Sequence, residues 1–357
     1  MNIIAIEEYS LLKSNSGNKR VTSKDVAQAA GVSRQTVSRV INNVSYVSEE
    51  TRQRVELAVE QLGYRPSTLA RSLSQQRSFT LGVVTFGLKY IGPSRTLNGI
   101  ADKADELGYM LLTKKLDSFH AARIDEIIES LLSRQVDGII WDVPEVDENR
   151  NWAHGIKNLP VPIVFMSMDP KPGYSVVSID SYQGAQLATQ HLLDQGCQQI
   201  GHIAGPLDWW EARLRKQAWS DTLVKAGMQV SDRQWEEGNW SSASGAVAVE
   251  QLLAQYPEMD GVFVANDQMA LSVLSEASRR CIKVPDQLAV VGFDGIAESA
   301  NFCPPLTTIS QDPQLLGGKA VEYLVDMIQA RHEEKPITPQ CSLIQPTLVI
   351  RESSKRI

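Results

Sequence analysis

A chain of 357 residues is long for one compact core, so its length implies two or more folding units. Hydrophobic residues make up 43% and charged residues 22%, as in an ordinary globular protein, and no apolar run approaches the roughly 20 residues of a membrane span. The net charge of −7 is uneven: residues 1–78 carry 11 Lys and Arg against 7 Asp and Glu, or +4, which leaves −11 on the remainder. A basic head on an acidic body is the asymmetry expected of a nucleic-acid arm joined to a sensor. The four cysteines, Cys197, Cys281, Cys303 and Cys341, stand far apart without a CxxC pair, and the five histidines are scattered. That spacing excludes a zinc ligand set and a disulfide scaffold; a reducing cytosol suits it, and no metal or cofactor is expected.

In chain order, residues 1–19 come first. Their mildly apolar start is broken by Glu7 and Glu8 and lacks a small-residue cleavage site. They read as a flexible extension rather than a secretion signal, and the expected location is the cytoplasm.

Residues 20–65 read as a helical DNA-binding unit. Thr22 followed by Asp25 is a capping-box variant that opens a first helix through "SKDVAQAA". Gly31 permits the sharp turn of a helix-turn-helix, and Ser33 is placed to cap a second helix. In that helix Val37, Val40 and Ile41 fall at i, i+3 and i+4, which turns Arg34, Gln35, Ser38 and Arg39 outward. Arginine and glutamine make paired hydrogen bonds to purine edges in the major groove. A third helix, "SEETRQRVELAVEQLGY", offers Val55, Ala58, Val59 and Leu62 for packing. The bland alternative is a three-helix bundle with a solvated basic surface.

Residues 66–78 form a linker. Pro66 starts a helix-compatible segment with Leu69, Ala70 and Leu73 on one face. At roughly two turns it is too short to hold alone in water, so it is expected to fold against a partner. If two copies meet over DNA, Leu73 is placed as a wedge between base steps of the minor groove. An ordinary interdomain linker is the other reading.

From Phe79 onward, short β-rich runs alternate with helical stretches, the pattern of parallel sheets flanked by helices. "DGIIWDVPE" and "DGVFVANDQ" each follow an amphipathic helix, a faint echo between two halves. Ligands in such sheets bind beyond the carboxyl ends of the strands. Asp142, Asn266, Asp267 and Asp294 stand there, while no GxGxxG or GxxxxGK[ST] follows a strand. Asp267 can equally cap the helix beginning near Gln268, and Asp294 can fix a turn before Gly295. Arg213 and Arg215 lie on one helix, and Trp209, Trp210 and Trp240 suit either core or site. Taken together, Asp, Asn, Arg and Trp are the set that binds sugars: polar groups satisfy hydroxyls and an indole covers the ring face.

With head, linker and body placed, residues 20–350 resemble the lactose repressor (LacI/GalR) family of bacterial transcription regulators. The resemblance is carried by "DVAQAAGVSRQTVSRVINN", "VSEETRQRVELAVEQLGYRPS", "AGPLDWWEARLRKQAW", "GNWSSASG", "VANDQMAL" and "PPLTTISQD". It implies a helix-turn-helix head on a periplasmic-binding-protein-like α/β core (79–353) of two doubly wound subdomains, with effector held between them. The expected first subdomain is 79–179 with 311–342, the second 180–310 with 343–353, and 354–357 is a tail.

Position by position, Arg34, Gln35 and Arg39 match the family's base readers and Leu73 its minor-groove leucine. Thr22, Ser33, Thr36, Ser38, Asn42 and Tyr46 are expected on the same DNA-facing surface, with Leu69 and Ala70 beside Leu73. In the cleft, Arg215, Asn266 and Asp294 match residues that hold sugar hydroxyls, Trp240 the stacking aromatic and Gln311 a nearby polar contact. Tyr90 and Pro93 fall at cleft-lining positions, and Asp142 completes the set. Ser167 stands where the family's namesake has an aspartate, Phe86, Trp209 and Glu211 replace small serines, and Pro313 replaces an aromatic. These departures imply a narrower or differently shaped pocket.

The resemblance implies a repressor that binds a pseudopalindromic operator as a homodimer, since no leucine-heptad tail follows "LVIRESSKRI". A sugar inducer, such as a galactoside, is expected to lower operator affinity. The alternatives are a purine-type corepressor that tightens DNA binding, an enzyme of a doubly wound fold, and a periplasmic sugar-binding protein. The chain shows no nucleophile elbow, metal cluster or phosphate loop, and the DNA-binding head opposes the last.

Overall fold

The computed structural model describes residues 21–41, 46–64, 77–116, 124–146 and 159–356. Asn42, Leu69, Ala70, Leu73 and the extension at residues 1–19 lie outside the described residues. The chain divides into two compact units, residues 1–78 and 79–357.

The first unit contains α1 (Ser23–Ala30), α2 (Arg34–Ile41) and α3 (Glu49–Leu62). The Asp25 carboxylate accepts hydrogen bonds from the Thr22 backbone N–H at 2.8 Å and from its hydroxyl at 2.9 Å, which closes the first turn of α1. Gly31 ends that helix at φ 65°, a left-handed conformation that a side chain would strain. The Ser33 hydroxyl then accepts the Thr36 N–H at 3.1 Å and starts α2. Val26, Ala27, Ala30, Val37, Val40, Val55 and Ala58 form the core, and Ile41, Val59 and Leu62 pack half-buried against it.

The second unit holds two six-stranded sheets, each with helices on both faces. The first sheet contains β1 (Thr80–Phe86), β2 (Met110–Leu116), β3 (Gly138–Asp142), β4 (Ile163–Met166), β5 (Ser175–Ile179) and β11 (Cys341–Ile344). Its order is β11-β5-β4-β3-β1-β2, with every pairing parallel. Helices α4 (Ile91–Glu106) and α10 (Pro313–His332) pack on one face, and α5 (Ile124–Leu132) on the other.

The second sheet contains β6 (Ile200–Ala204), β7 (Trp235–Glu237), β8 (Gly261–Val264), β9 (Ala289–Asp294), β10 (Thr307–Ser310) and β12 (Thr347–Val349), in the order β12-β10-β9-β8-β6-β7. Here α8 (Ser242–Gln255) and α9 (Asp267–Arg279) cover one face, and α6 (Ser181–Asp194) and α7 (Trp210–Lys225) the other. The repeated βα pattern predicts parallel sheets; β12 departs from it by pairing antiparallel with β10. Only Gln345 and Pro346 separate β11 from β12, so the chain enters the second sheet directly from the end of β11, and β12 begins at Thr347 beside Ser310, the end of β10, and runs back along it.

The chain passes between the lobes at Asp180, at Gln311–Asp312 and at Gln345–Pro346. Two expected boundaries are corrected. The 342/343 division falls inside β11, which pairs with β5 through Ile344. Residues 354–356 are not a tail: Ser354 is fully buried and hydrogen-bonded to His191 at 2.8 Å and Thr307 at 2.7 Å, and Arg356 donates to Pro285 O.

Glycines set the approach of α4 to α10. A Cβ on Gly99 would stand 2.3 Å from the Gln314 carbonyl oxygen, and one on Gly317 would stand 2.3 Å from that of Thr96. Backbone cannot yield as a side-chain tip can, so each methyl would force the helices apart. Gly317→Ala is therefore expected to lower stability by about 1–3 kcal/mol in denaturant unfolding. An unchanged midpoint would show that this contact has slack.

Candidate functional site

On α2 the burial pattern divides the faces cleanly. Val37 and Val40 are buried, while Arg34, Gln35, Ser38 and Arg39 are exposed. Among the described residues neither Arg34 nor Arg39 has an acidic partner. Two cationic side chains and an amide are thus presented together to solvent on one helix. The hydroxyls nearby are partly committed: that of Thr22 to Asp25, and those of Ser33 and Thr36 to each other at 2.9 Å. Tyr46 is 88% exposed.

In the second unit, a cavity of about 150 Å³ opens between the two lobes. Engineered apolar cavities of about that size admit a benzene-sized ring. From the first lobe, Tyr90 and Pro93 reach it at the start of α4, Asp142 at the end of β3 and Ser167 just past β4. From the second come Trp209, Glu211 and Arg215 of α7, Trp240 before α8, Asn266 at the start of α9 and Asp294 at the end of β9. Gln311 lies on a crossover between the lobes. These side chains gather at strand carboxyl ends and the adjoining helix starts, where open α/β sheets leave a crevice.

Phe86 is the exception. It joins the cluster of Val84, Ile128 and Trp141 on the α5 face of the first sheet, so it does not line the cavity. Gly87, at φ 68°, turns the chain after it and brings Tyr90 to the cleft instead. Sequence reasoning missed Ile91, Gly92, Thr96, Ile179, Ser181, Gln268 and Leu316, which also line the cavity with Pro313. Ser181 and Ile179 flank the first crossover, a position that the end of β5 signals; Thr96 and Leu316 have no signal beyond their helical spacing.

Arg215 is 6% exposed. Its Nη1 donates to the Ala265 carbonyl at 2.6 Å, and Nε and Nη2 reach the Ser181 hydroxyl at 3.4 Å. The guanidinium lies 3.7 Å from the centroid of Phe293 and 5.5 Å from that of Trp240. Burial pulls its pKa down, opposed by the charges of Asp294, Glu211 and Asp267. Nη1 stands 3.9 Å from Asp294 Oδ1, too far for a direct hydrogen bond. The charges attract, yet room remains for a hydroxyl to bond to both.

Asp294 accepts from Gln311 Nε2 at 2.5 Å. Burial raises its pKa to about 6, against the pull of Arg215 and the Gln311 bond. Asp142 is raised to about 7, first by burial and then by the charge of Glu211, while a bond from Thr85 opposes both. Glu211 is also shifted upward by burial, with a Ser167 hydrogen bond and Arg215 working against it.

Asn266, not Asp267, caps α9: its side-chain oxygen accepts the Met269 N–H at 3.0 Å. Asp267 begins the helix and is fully buried, accepting from Thr308 at 2.6 Å and from the Ile296 N–H at 2.9 Å. It ties α9 to the strands that carry Asp294.

Trp240 packs against the backbone at the end of β6, where a Cβ on Gly205 would collide with its ring. Trp209 meets Trp240 edge-on at 5.7 Å. Three cavity residues, Ser167 (φ 54°), Trp240 (φ 69°) and Asp294 (φ 116°), hold positive φ without being glycine. Strain of this kind costs roughly 1–3 kcal/mol per residue and gathers at sites that need a fixed geometry. Among the described residues no group of His, Cys, Asp and Glu is arranged to hold a metal ion, and no helix is long and apolar enough to cross a membrane.

Comparisons with known proteins agree with both parts. Residues 22–67 match "Bacterial regulatory proteins, lacI family", and residues 189–354 match "Periplasmic binding protein-like domain". The lactose operon repressor of Escherichia coli (strain K12) is 35% identical over 314 residues, 88% of this chain and 86% of the relative. The chain belongs to the lacI family. The transcriptional repressor PurR of Pasteurella multocida is 31% identical over 335 residues, 94% of this chain and 98% of that one.

A lac repressor dimer bound to operator and the anti-inducer ONPF has TM-score 0.81 and 33% identity, covering 94% of this chain and 99% of its own. A complex of the transcriptional regulator CelR with cellobiose has TM-score 0.70 and 30% identity, covering 94% and 100%. As a lacI-family member the protein is a DNA-binding transcriptional repressor with an effector-binding core, not an enzyme.

The Asp142 shift gives a pH signature. An unfolded aspartate titrates near pH 4, and this one titrates at about 7 when folded, so between those values the folded state binds more proton. Its contribution is most favourable below about pH 4 and is lost as pH rises through 7. Asp142→Asn is expected to raise unfolding free energy at about pH 8 by on the order of 2 kcal/mol, with the gain vanishing near pH 4. Equal shifts at both pH values would contradict a buried, neutral-leaning Asp142.

Proposed function

We propose that the protein represses transcription as a homodimer on a pseudopalindromic operator and is released by a saccharide bound between its lobes. The observation that carries the ligand class is the Arg215–Asp294 pair, open by 3.9 Å, beside the Trp209 and Trp240 rings. Two charged groups with a gap between them suit a hydroxyl that donates to one and accepts from the other, and an indole suits a sugar's apolar face. One of the similar structures supports the ligand class, the transcriptional regulator CelR in complex with cellobiose.

The mechanism follows from linkage. Arg34, Gln35 and Arg39 read bases in the major groove, two heads occupying successive half-sites. The segment carrying Leu69, Ala70 and Leu73 acts together with its partner copy, Leu73 contacting the minor groove at the operator centre. A saccharide that prefers the lobe arrangement incompatible with that contact releases the operator. It shifts operator affinity only by its own differential affinity for the two arrangements, typically about 1–3 kcal/mol. Such regulation takes place in the cytoplasm, where the operator is.

A corepressor that tightens DNA binding is the second reading, motivated by the PurR relative. Operator titration with and without lactose, cellobiose, galactose and purine bases separates the two by sign. Arg215→Ala is expected to keep operator affinity within about twofold while abolishing the response to saccharide; a variant that still responds normally contradicts the cleft assignment. Arg39→Ala is expected to cost about 1–3 kcal/mol at one base pair and to relax specificity there. A uniform loss over all sequences would assign this side chain to phosphate instead.

A further inference from the structure

The polar groups around the cavity divide by whether the protein itself completes their bonding. Asn266 caps α9 with its oxygen, and its nitrogen donates to the Trp240 carbonyl at 2.9 Å and the Gln268 side chain at 2.8 Å. Arg215 is held by Ala265 and Ser181 and has Asp294 as its counter-charge. Arg213, two residues away on the same helix, donates instead to the carbonyls of Leu207 and Asp208.

What remains is an excess of negative charge. Glu211 Oε2 is buried without a partner, and Trp240 Nε1 is a buried donor without an acceptor. Asp142, 8% exposed, accepts from Thr85 through Oδ2 at a long 3.3 Å. Asp142 ends β3 in the first lobe, and Glu211 lies in the first turn of α7 in the second. Both carboxyl groups thus line one cavity from opposite lobes, and the charge of Glu211 acts on Asp142. Among the described residues that line the cavity, one cation, Arg215, faces three carboxyl groups, Asp142, Glu211 and Asp294, and it lies 3.9 Å from Asp294 while also drawing Glu211.

We infer that the Asp142–Glu211 pair seats a protonated amine, so that the cleft selects an amine-bearing saccharide over its neutral counterpart. An ammonium group brings one positive charge and three donors, enough to bond both carboxylates at once. A hydroxyl brings one donor and no charge, so with a neutral sugar the pair stays repulsive or must hold a proton of its own. Ser167, which lines the cavity beside Glu211, brings a hydroxyl and no charge. Because the two acids belong to different lobes, an ammonium between them also draws the lobes together. The inference rests on the saccharide reading of the cleft.

The test uses full-length protein in titration calorimetry, at a pH where the amine carries its proton. D-galactosamine, D-glucosamine and unacetylated lactosamine are each compared with the neutral parent sugar and the N-acetyl derivative. At least one amine is expected to bind about tenfold or more tightly than both its counterparts, the scale of a charge-assisted bond. Glu211→Gln and Asp142→Asn keep shape and relieve repulsion, and each is expected to bring the ratio of amine affinity to parent-sugar affinity near one, whatever it does to the two affinities separately. Neutral sugars that bind as tightly as the amines overturn the inference and leave the saccharide reading standing. A preference that survives both substitutions overturns the assignment to this pair. Binding by no sugar of either kind overturns both readings.

Discussion

The effector-binding unit is organised around one buried cation. Arg215 sits almost out of solvent, and an unpaired guanidinium in such a place costs several kcal/mol. The protein offsets that cost from separate elements: a carbonyl beyond β8, a hydroxyl at the start of α6, the face of Phe293 on β9 and the carboxylate that ends β9. Those partners fix the relative positions of the elements that carry them. Asp294 has a strained backbone, at φ 116°, and its carboxylate stands 3.9 Å from the cation. The site is thus preorganised on the second lobe, with an opening sized for a ligand oxygen.

The first lobe contributes differently. Tyr90, Pro93, Asp142 and Ser167 come from helix starts and strand ends that the second lobe touches only across the cleft. The chain crosses between the lobes at three short connections, so their relative arrangement can change without unfolding either sheet. A ligand contacting both lobes therefore carries information about that arrangement. This is the physical basis on which a bound small molecule alters what the DNA-binding heads can do.

Much of this was legible in the sequence, for reasons specific to particular residues. Thr22 with Asp25, Gly31 and Ser33 are local signals, and each makes the contact that its spacing implies. Asp142, Asn266 and Asp294 follow apolar runs, so strand ends alone place them at the crevice. The failures have equally particular causes. Phe86 occupies a strand end, but the facing of β1 directs it into the α5 cluster, and sequence does not state which face adjoins the cleft. Asn266, besides lining the cavity, takes the capping role that Asp267 could equally have filled, because a one-residue shift in a helix start decides which side chain caps. The reversal of β12 and the buried Ser354 depend on long-range pairing, which no local pattern encodes. Ser167 and Glu211 were visible as departures from the family pattern, but that they line one cavity from opposite lobes emerges only when both lobes are folded.

The central claim is that the cleft and the DNA-binding heads share one equilibrium. Linkage makes this measurable from the cleft side: the affinity of the proposed saccharide effector is determined by calorimetry with the protein free and with the protein saturated by operator duplex. The account predicts that operator weakens saccharide binding by the same factor by which saccharide weakens operator binding. A saccharide affinity identical in the two states would contradict it.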